Sequence, residues 1–497
     1  MVDEPPGRGD AFARLAEDVV ASLREHMEAC ADPEADAIRL APLEDVTAAL
    51  GVRELLREGG LGPGHPFLRA YLEGATRLHS PNCMAHQVAA TLYPSAVADL
   101  IAGFTNNATS IYEMGPTAVA VELAVVDWMI EKVGWNRPSV GAAGDGRVDP
   151  GGVLTHGGSL ANLTALLAAR AVAAPEAWKE GVPQNLAILA PASAHFSLSR
   201  AAGIMGLGTD GIYLLPADPW ERVLPDQIHR VHARAVADGK RVAALCANAC
   251  ATATGLYDPL EECGLWCREN DVWFHVDGAH GASALISQKE RHRMRGADLA
   301  DSLVWDTHKM LHTSALCAAV LVRDVRTLTA AFRQDADYVL HERADPPGPD
   351  LLPRTVECTK PAIGLKLALN LAVYGEAGLA RRVESLYERT RSLARVIRTH
   401  ASFDVPFEPQ SNILCFRYRP GDDNAQERLR ERLLADGRYY VSSATLGGRR
   451  YLRLTIMSAR TTDDTVRGLL ERIEALAQLP GGSLAGPPRS SSPGRIP

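Results

Sequence analysis

Along the middle of the chain, short apolar runs that stop on a charge or a glycine alternate with longer stretches of helical spacing. Strand-like runs fall at 186–190, 212–215, 242–247, 272–276 and 302–305, and helical spacing fills 160–173, 225–237 and 260–270. Strand and helix in alternation predict a mainly parallel sheet with helices on both faces, an α/β fold. Ahead of this region, Phe12, Leu15, Val19, Val20, Leu23 and Met27 predict a leading helix over 11–30, followed by an acidic, proline-bearing linker at 31–36. A stretch over 117–133 is apolar on nearly every face, which predicts a buried helix. Beyond Asp324 the spacing predicts helices over 360–374 and 379–400, a strand over 413–417, a helix over 425–434, a strand over 451–456 and a helix over 463–476. This reads as a smaller α+β unit. The expected organisation is an N-terminal helical segment (1–100), a large α/β domain (101–375), a small C-terminal domain (376–478) and a disordered low-complexity tail (479–497).

Two of the strand-like runs end on charge. The run 272–276 stops at Asp277 before Gly278, and the run 302–305 ends in Asp306-Thr307-His308-Lys309. Ligands of open α/β sheets bind at that carboxyl edge. Lys309 is flanked by Trp305, Met310 and Leu311, and burial favours the neutral amine, which can form a Schiff base with an aldehyde. An upstream carboxylate suits the pyridine nitrogen of pyridoxal phosphate. Asp277 and Lys309 can equally be a structural ion pair or two unrelated strand ends.

Gly157-Gly158-Ser159 opens the helix 160–173 and offers free N–H groups, a hydroxyl and a positive helix end to a phosphate; the same residues also make an ordinary serine cap. His195 falls just past a strand end, where a histidine is a catalyst or a structural hydrogen-bonder. His86, Gln87, Asn106, Asn107, Tyr112 and Glu113 either line a cleft or satisfy their own loops.

Composition narrows the classes. Hydrophobic residues make up 46% of the 497 and charged residues 23%, which excludes a largely disordered chain. The net charge of -8 lacks the basic footprint of a nucleic-acid binder. No run of about 18 apolar residues is free of charge, so no membrane span is expected. The first residues show no secretory pattern, and a cytoplasmic location is expected. Nine cysteines without a C-x-x-C pair read as reduced thiols; Cys246/Cys250 and Cys263/Cys267 lack metal-site spacing, and no metal is expected.

Seven motifs in order carry a resemblance: H-Q-V at Gln87, Y-E-M-G-P at Tyr112, G-G-S-L-A-N-L at Gly157, S-A-H-F-S at Ser193, H-V-D-G-A-H at His275, D-T-H-K-M at Asp306 and L-R-L at Arg453. From about Pro81 to Leu476 the chain resembles the group II pyridoxal-phosphate-dependent amino acid decarboxylases, the family of the glutamate, cysteine sulfinate and aromatic amino acid decarboxylases. The resemblance implies the type I aminotransferase fold, a mainly parallel central sheet with a smaller α+β domain, and a homodimer with the active site at the interface. It implies Lys309 as the Schiff-base lysine, Asp277 at the pyridine nitrogen, His195 stacked on the ring and Ala279 on the other face. Gly158 and Ser159, helped by His308, are implied to hold the phosphate. The reaction implied is loss of carbon dioxide from an L-amino acid, giving the amine.

Gln87 and Arg453 fall where glutamate-type members contact the substrate's carboxylate, and an arginine fork with a glutamine amide suits that group. An acidic substrate is expected: glutamate, aspartate, cysteine sulfinate or a related acid. A non-acidic one such as 2,4-diaminobutyrate is the alternative, and a structural role for Arg453 stays open. Cys250-Ala251-Thr252 stands where many members have Gly-Thr-Thr, leaving Thr252 to supply the hydroxyl. The loop 341–353 has no tyrosine, the residue that in many members returns the proton to Cα. Tyr338, His341 or His312 is then the candidate donor. Relatives lacking that tyrosine can react with oxygen instead, giving an aldehyde, ammonia and peroxide. A non-catalytic relative that binds cofactor for structure is a third reading, against which the intact Asp277, His195 and Lys309 argue.

Overall fold

A computed structural model describes residues 8–135, 148–332 and 347–479. Its larger sheet has seven strands in the order β1-β7-β6-β5-β4-β2-β3. They are β1 (Gly151–Thr155), β2 (Leu186–Pro191), β3 (Ile212–Leu215), β4 (Arg241–Asn248), β5 (Trp273–Asp277), β6 (Ser302–Asp306) and β7 (Ala318–Val322). Strands β2 to β6 run parallel, while β7 is antiparallel to both β6 and β1. β1, β2, β6 and β7 are buried at every residue, as expected of a sheet covered by helices on both faces.

One departure concerns the helix Pro116–Val133, predicted to be buried all round. Ala118, Val119, Glu122, Val125, Val126, Met129, Ile130 and Val133 form one buried face, and Val121 and Leu123 stay partly exposed. A helix laid on the outside of a sheet has only one side to give it. Its single buried acid, Glu122, takes the ammonium of Lys360 at 2.6 Å and the N–H of Leu154 in β1.

The smaller sheet is antiparallel, β10-β11-β9-β8, from β8 (Phe403–Asp404), β9 (Ile413–Tyr418), β10 (Ser442–Leu446) and β11 (Arg449–Thr455). The helix Gly364–Thr399 connects the two units and breaks at Gly375, whose φ of 65° is left-handed and open to glycine without strain. The N-terminal region also serves both units. The N–H of Met84 donates to Tyr440 O at 2.8 Å, and that of Leu92 to His312 O at 3.0 Å. Residues 85–91 are thereby strung between the small unit and the turn that follows Lys309. Of the expected tail, 479–497, residues 480–497 lie outside the described residues, as do Tyr338 and His341.

Candidate active site

A cavity of about 520 Å³ opens where β5 and β6 end. It is walled by those strand ends, by the start of the helix Gly158–Ala173, and by His86, Gln87 and Val88. Gly158, Ser159, His195, Thr252, Asp277, Ala279, His308, Lys309 and Gln87 all lie on its wall. Arg453 does not. A larger cavity of about 970 Å³ lies between the leading helix and the helix Gly364–Thr399, but it holds neither Lys309 nor Asp277.

Asp277 closes β5 and is nearly buried. Its Oδ2 accepts from Asn162 Nδ2 at 3.0 Å and its Oδ1 from the N–H of Ala279 at 3.2 Å. Asn162 sits one turn into its helix, and its other N–H goes to Ser197 Oγ at 2.9 Å. Its carbonyl oxygen lies 3.0 Å from His275 Nε2, so that nitrogen carries the proton. His275 Nδ1 then accepts from Ser302 Oγ at 2.8 Å, and Ser302 accepts from the Trp273 indole. Burial holds His275 neutral, with its pKa down to about 4, which agrees with this proton pattern.

The hydroxyl of Ser197, having accepted from Asn162, donates to His195 Nδ1 at 2.8 Å. Burial lowers the pKa of His195, with the charge of Lys309 pushing the same way and Asp277 opposing. The ring is therefore a neutral, flat surface on the cavity wall.

Lys309 was expected in apolar surroundings. Trp305, Met310 and Leu311 are indeed buried, yet the turn after β6 brings Nζ back to 3.1 Å from Asp306 Oδ2. Asp306 is almost wholly buried, and its Oδ1 has no hydrogen-bond partner. A side chain at Gly158 would stand 2.7 Å from Asp306 Oδ2, so glycine is required for the helix start to approach this carboxylate. Nothing caps that helix: no side chain bonds its first N–H groups, and Ser159 is not its N-cap. His308 Nδ1 faces the carbonyl of Cys317 at 2.9 Å.

The amide nitrogen of Gln87 is buried without a partner. Arg453 lies behind Thr252: Nη2 donates to Thr252 O at 2.7 Å, Nε to Ala253 O at 3.2 Å, and Nη1 to Ala85 O at 3.0 Å and Ser442 Oγ at 3.2 Å. Its guanidinium thus fixes three backbone carbonyls around the cavity.

Asn162, Asp306, His156 and His280, to which no sequence pattern gave a role, stand on the same wall. His280 is fully buried, with Nε2 2.6 Å from Asn412 Oδ1, and its pKa is driven down to about 3, first by burial and then by Lys309. Asn412 in turn donates to Ile456 O at 3.0 Å, tying the cavity to the small unit. Asn162 and His280 stand inside the quoted motifs, which was the available signal.

The sequence profile of the pyridoxal-dependent decarboxylase conserved domain matches residues 69–419. The chain belongs to that family. It is 29% identical over 392 residues to an L-aspartate decarboxylase of Metarhizium robertsii, covering 77% of this chain and 76% of that one. To the cysteine sulfinic acid decarboxylase of Mus musculus it is 29% identical over 421 residues, covering 79% and 81%. The crystal structure of the mouse protein CSAD superposes with a TM-score of 0.84 at 24% identity, over 95% of this chain and all of that one. The protein is a pyridoxal-phosphate-dependent amino acid decarboxylase of the type I fold.

Proposed function

We propose that this decarboxylase takes an acidic L-amino acid, of the aspartate, glutamate or cysteine sulfinate kind, and releases its amine. The observation that carries this is the buried, unpartnered amide N–H of Gln87 on the cavity wall. A buried donor without an acceptor is costly, and a side-chain carboxylate or sulfinate would satisfy it. A second ammonium, as in a diamine, would leave that donor facing another donor. Of the two carboxylates on the wall, Asp277 is held by Asn162 and Ala279, and Asp306 faces Lys309 through one oxygen. The relatives named for aspartate and cysteine sulfinate support the same choice. Arg453 is proposed to act at one remove, holding Thr252 and the strand of chain that leads to Gln87.

The residues fit the cofactor. The uncapped helix start at Gly158 and Ser159 offers N–H groups to its phosphate, with His308 beside them. Asp277 is proposed to hold the pyridine nitrogen, His195 and Ala279 to flank the ring, and Thr252 to face the phenolic oxygen. Bound pyridoxal phosphate supplies an aldehyde for the substrate amine and a ring that absorbs the electron pair left when carbon dioxide departs. Lys309, whose amine faces the cavity beside Asp306, would be the residue that holds that aldehyde. Asn162 and Ala279 keep Asp277 charged-side inward, and Ser197 keeps His195 neutral and flat.

We propose a homodimer as well. Tyr93, Val97, Leu100 and Ile101 stand on one face of the helix Tyr93–Thr105, all exposed in the single chain. An exposed apolar stripe of this kind suits a second copy. A cytoplasmic location remains the expectation from sequence.

A panel of L-amino acids tests the substrate, with carbon dioxide, amine, aldehyde and peroxide all measured. Amine equal to carbon dioxide from aspartate, glutamate or cysteine sulfinate supports the reading. Turnover of 2,4-diaminobutyrate alone overturns it, and peroxide equal to carbon dioxide replaces the amine by an aldehyde. Borohydride labelling of the holoenzyme should mark Lys309, and Lys309→Ala should carry no label.

A further inference from the structure

Removing carbon dioxide leaves an electron pair on Cα that must receive one proton. The structure offers an acid for it that the sequence motifs do not signal. His156 lies on the cavity wall directly before Gly157 and Gly158, and its Nδ1 is hydrogen-bonded to Glu357 Oε1. A carboxylate can only accept, so Nδ1 carries a proton and Nε2 is the ring's working nitrogen. The other oxygen of Glu357 is buried with no hydrogen-bond partner, so His156 is the group this carboxylate faces.

The other imidazoles on the wall are poorly placed to give up a proton. His280 is buried and neutral, with its pKa near 3. His195 is neutral and committed to Ser197. His308 bonds the Cys317 carbonyl, and its Nε2 is 3.7 Å from an Asp306 oxygen already taken by Lys309. His86 is lowered by burial and by Arg453, and lies edge-on to Tyr440. Asp277 accepts from two N–H groups. Among the described residues on this wall, His156 is the one imidazole hydrogen-bonded to a carboxylate, the arrangement that fixes a tautomer and supports an imidazolium.

We propose that His156, oriented by Glu357, is the acid that protonates Cα. The bond from Cα to the carboxylate breaks, carbon dioxide leaves, and the electron pair takes the proton from His156 Nε2. Nδ1–H stays on Glu357, and water entering the cavity returns a proton to Nε2. Glu357 is a positioning residue. The inference rests on decarboxylation and not on which amino acid is taken.

The test compares the holoenzyme with His156→Gln and Glu357→Gln, using whichever amino acid of the panel is turned over. Three quantities are read: the dissociation constant for pyridoxal phosphate, kcat against KM, and the face of Cα that carries deuterium when the reaction runs in heavy water. For His156→Gln we expect a cofactor constant within threefold of the parent, kcat down roughly 100-fold or more, and deuterium on both faces. For Glu357→Gln we expect an unchanged cofactor constant and an unchanged KM, kcat down roughly tenfold or more, and deuterium on both faces, because Nε2 is no longer aimed by a carboxylate at Nδ1–H. Deuterium confined to one face in His156→Gln, or an unchanged kcat in Glu357→Gln, overturns the proposal. Loss of cofactor binding in His156→Gln also overturns it, by making His156 part of the phosphate cradle. Glu357→Gln keeps the side chain's size, so it decides the matter alone if His156→Gln does not fold.

Discussion

Asn162 meets Asp277 at 3.0 Å, and that one contact sets the direction of every hydrogen bond around it. Because the amide must donate to the carboxylate, its oxygen faces His275 and its second N–H faces Ser197. The carboxylate at one strand end and the His195 ring are thereby held by a single side chain. Replacing Asn162 by Ala should leave both unsupported. The cofactor's dissociation constant is expected to rise about 10- to 100-fold, the worth of a hydrogen bond to a charged group. Titration of the protein with pyridoxal phosphate checks it, and an unchanged constant would remove Asn162 from the site.

Gln87→Leu keeps the side chain's bulk and removes the donor. On the proposed reading KM for the acidic substrate should rise at least tenfold while the cofactor constant stays put, since Gln87 stands on the wall away from Asp277's network. Equal losses for acidic and neutral substrates would show that Gln87 only shapes the cavity.

Three buried histidines predict acid sensitivity. Burial takes His275 to about 4, His280 to about 3 and His312 to about 4, from an ordinary 6.5. A base whose folded pKa is depressed binds its proton in the unfolded chain first. Stability should therefore hold above pH 6.5, fall as pH drops below it, and go on falling toward pH 4. With three such groups the slope near pH 5 is about 4 kcal/mol per pH unit. His312 has a φ of 54°, a conformation asparagine tolerates, and it bonds Ala90 O at 3.0 Å. His312→Asn should lessen the slope by about 1.4 kcal/mol per unit, read from denaturant midpoints between pH 6.5 and 5.

The Glu122–Lys360 pair, with side chains 1% and 2% exposed, offers a stability test remote from the chemistry. Lys360→Met strands a buried carboxylate and should cost about 3–5 kcal/mol. The double variant Glu122→Gln with Lys360→Met should recover much of it, because the stranded charge is gone. A double variant as unstable as the single one would mean that the lost packing dominates.

Five of the seven strands of the large sheet, β2 to β6, were legible because each is an apolar run bounded by breakers. β10 was not: Ser442, Ser443, Ala444 and Thr445 carry too little apolar character, and pairing with β11 makes it a strand. The four short helices between Leu43 and Thr105 were also missed, cut up as they are by glycine and proline. In the cavity, Asp277 and Lys309 were legible from their places at strand ends. Asp306 stood in the same run and drew no role, since only the folded turn shows it against Lys309 and Gly158. His156 and Glu357 are 201 residues apart, and no spacing rule joins them. Arg453 was expected at the substrate, yet it stands behind the cavity wall, and its three carbonyl partners, Ala85, Thr252 and Ala253, come from two segments that no spacing rule joins to it.

Residues 85–91 are tied at one end to Tyr440 and at the other to His312. A strap fastened at both ends has little slack, so Gln87 keeps its place only while the two fastenings keep theirs. Selection for a new substrate need not touch the cavity at all: a change at Tyr440 or at the carbonyl of His312 would re-seat Gln87 from outside. If Gln87 meets the substrate as proposed, the enzyme's preference is written partly in residues that never touch what it binds.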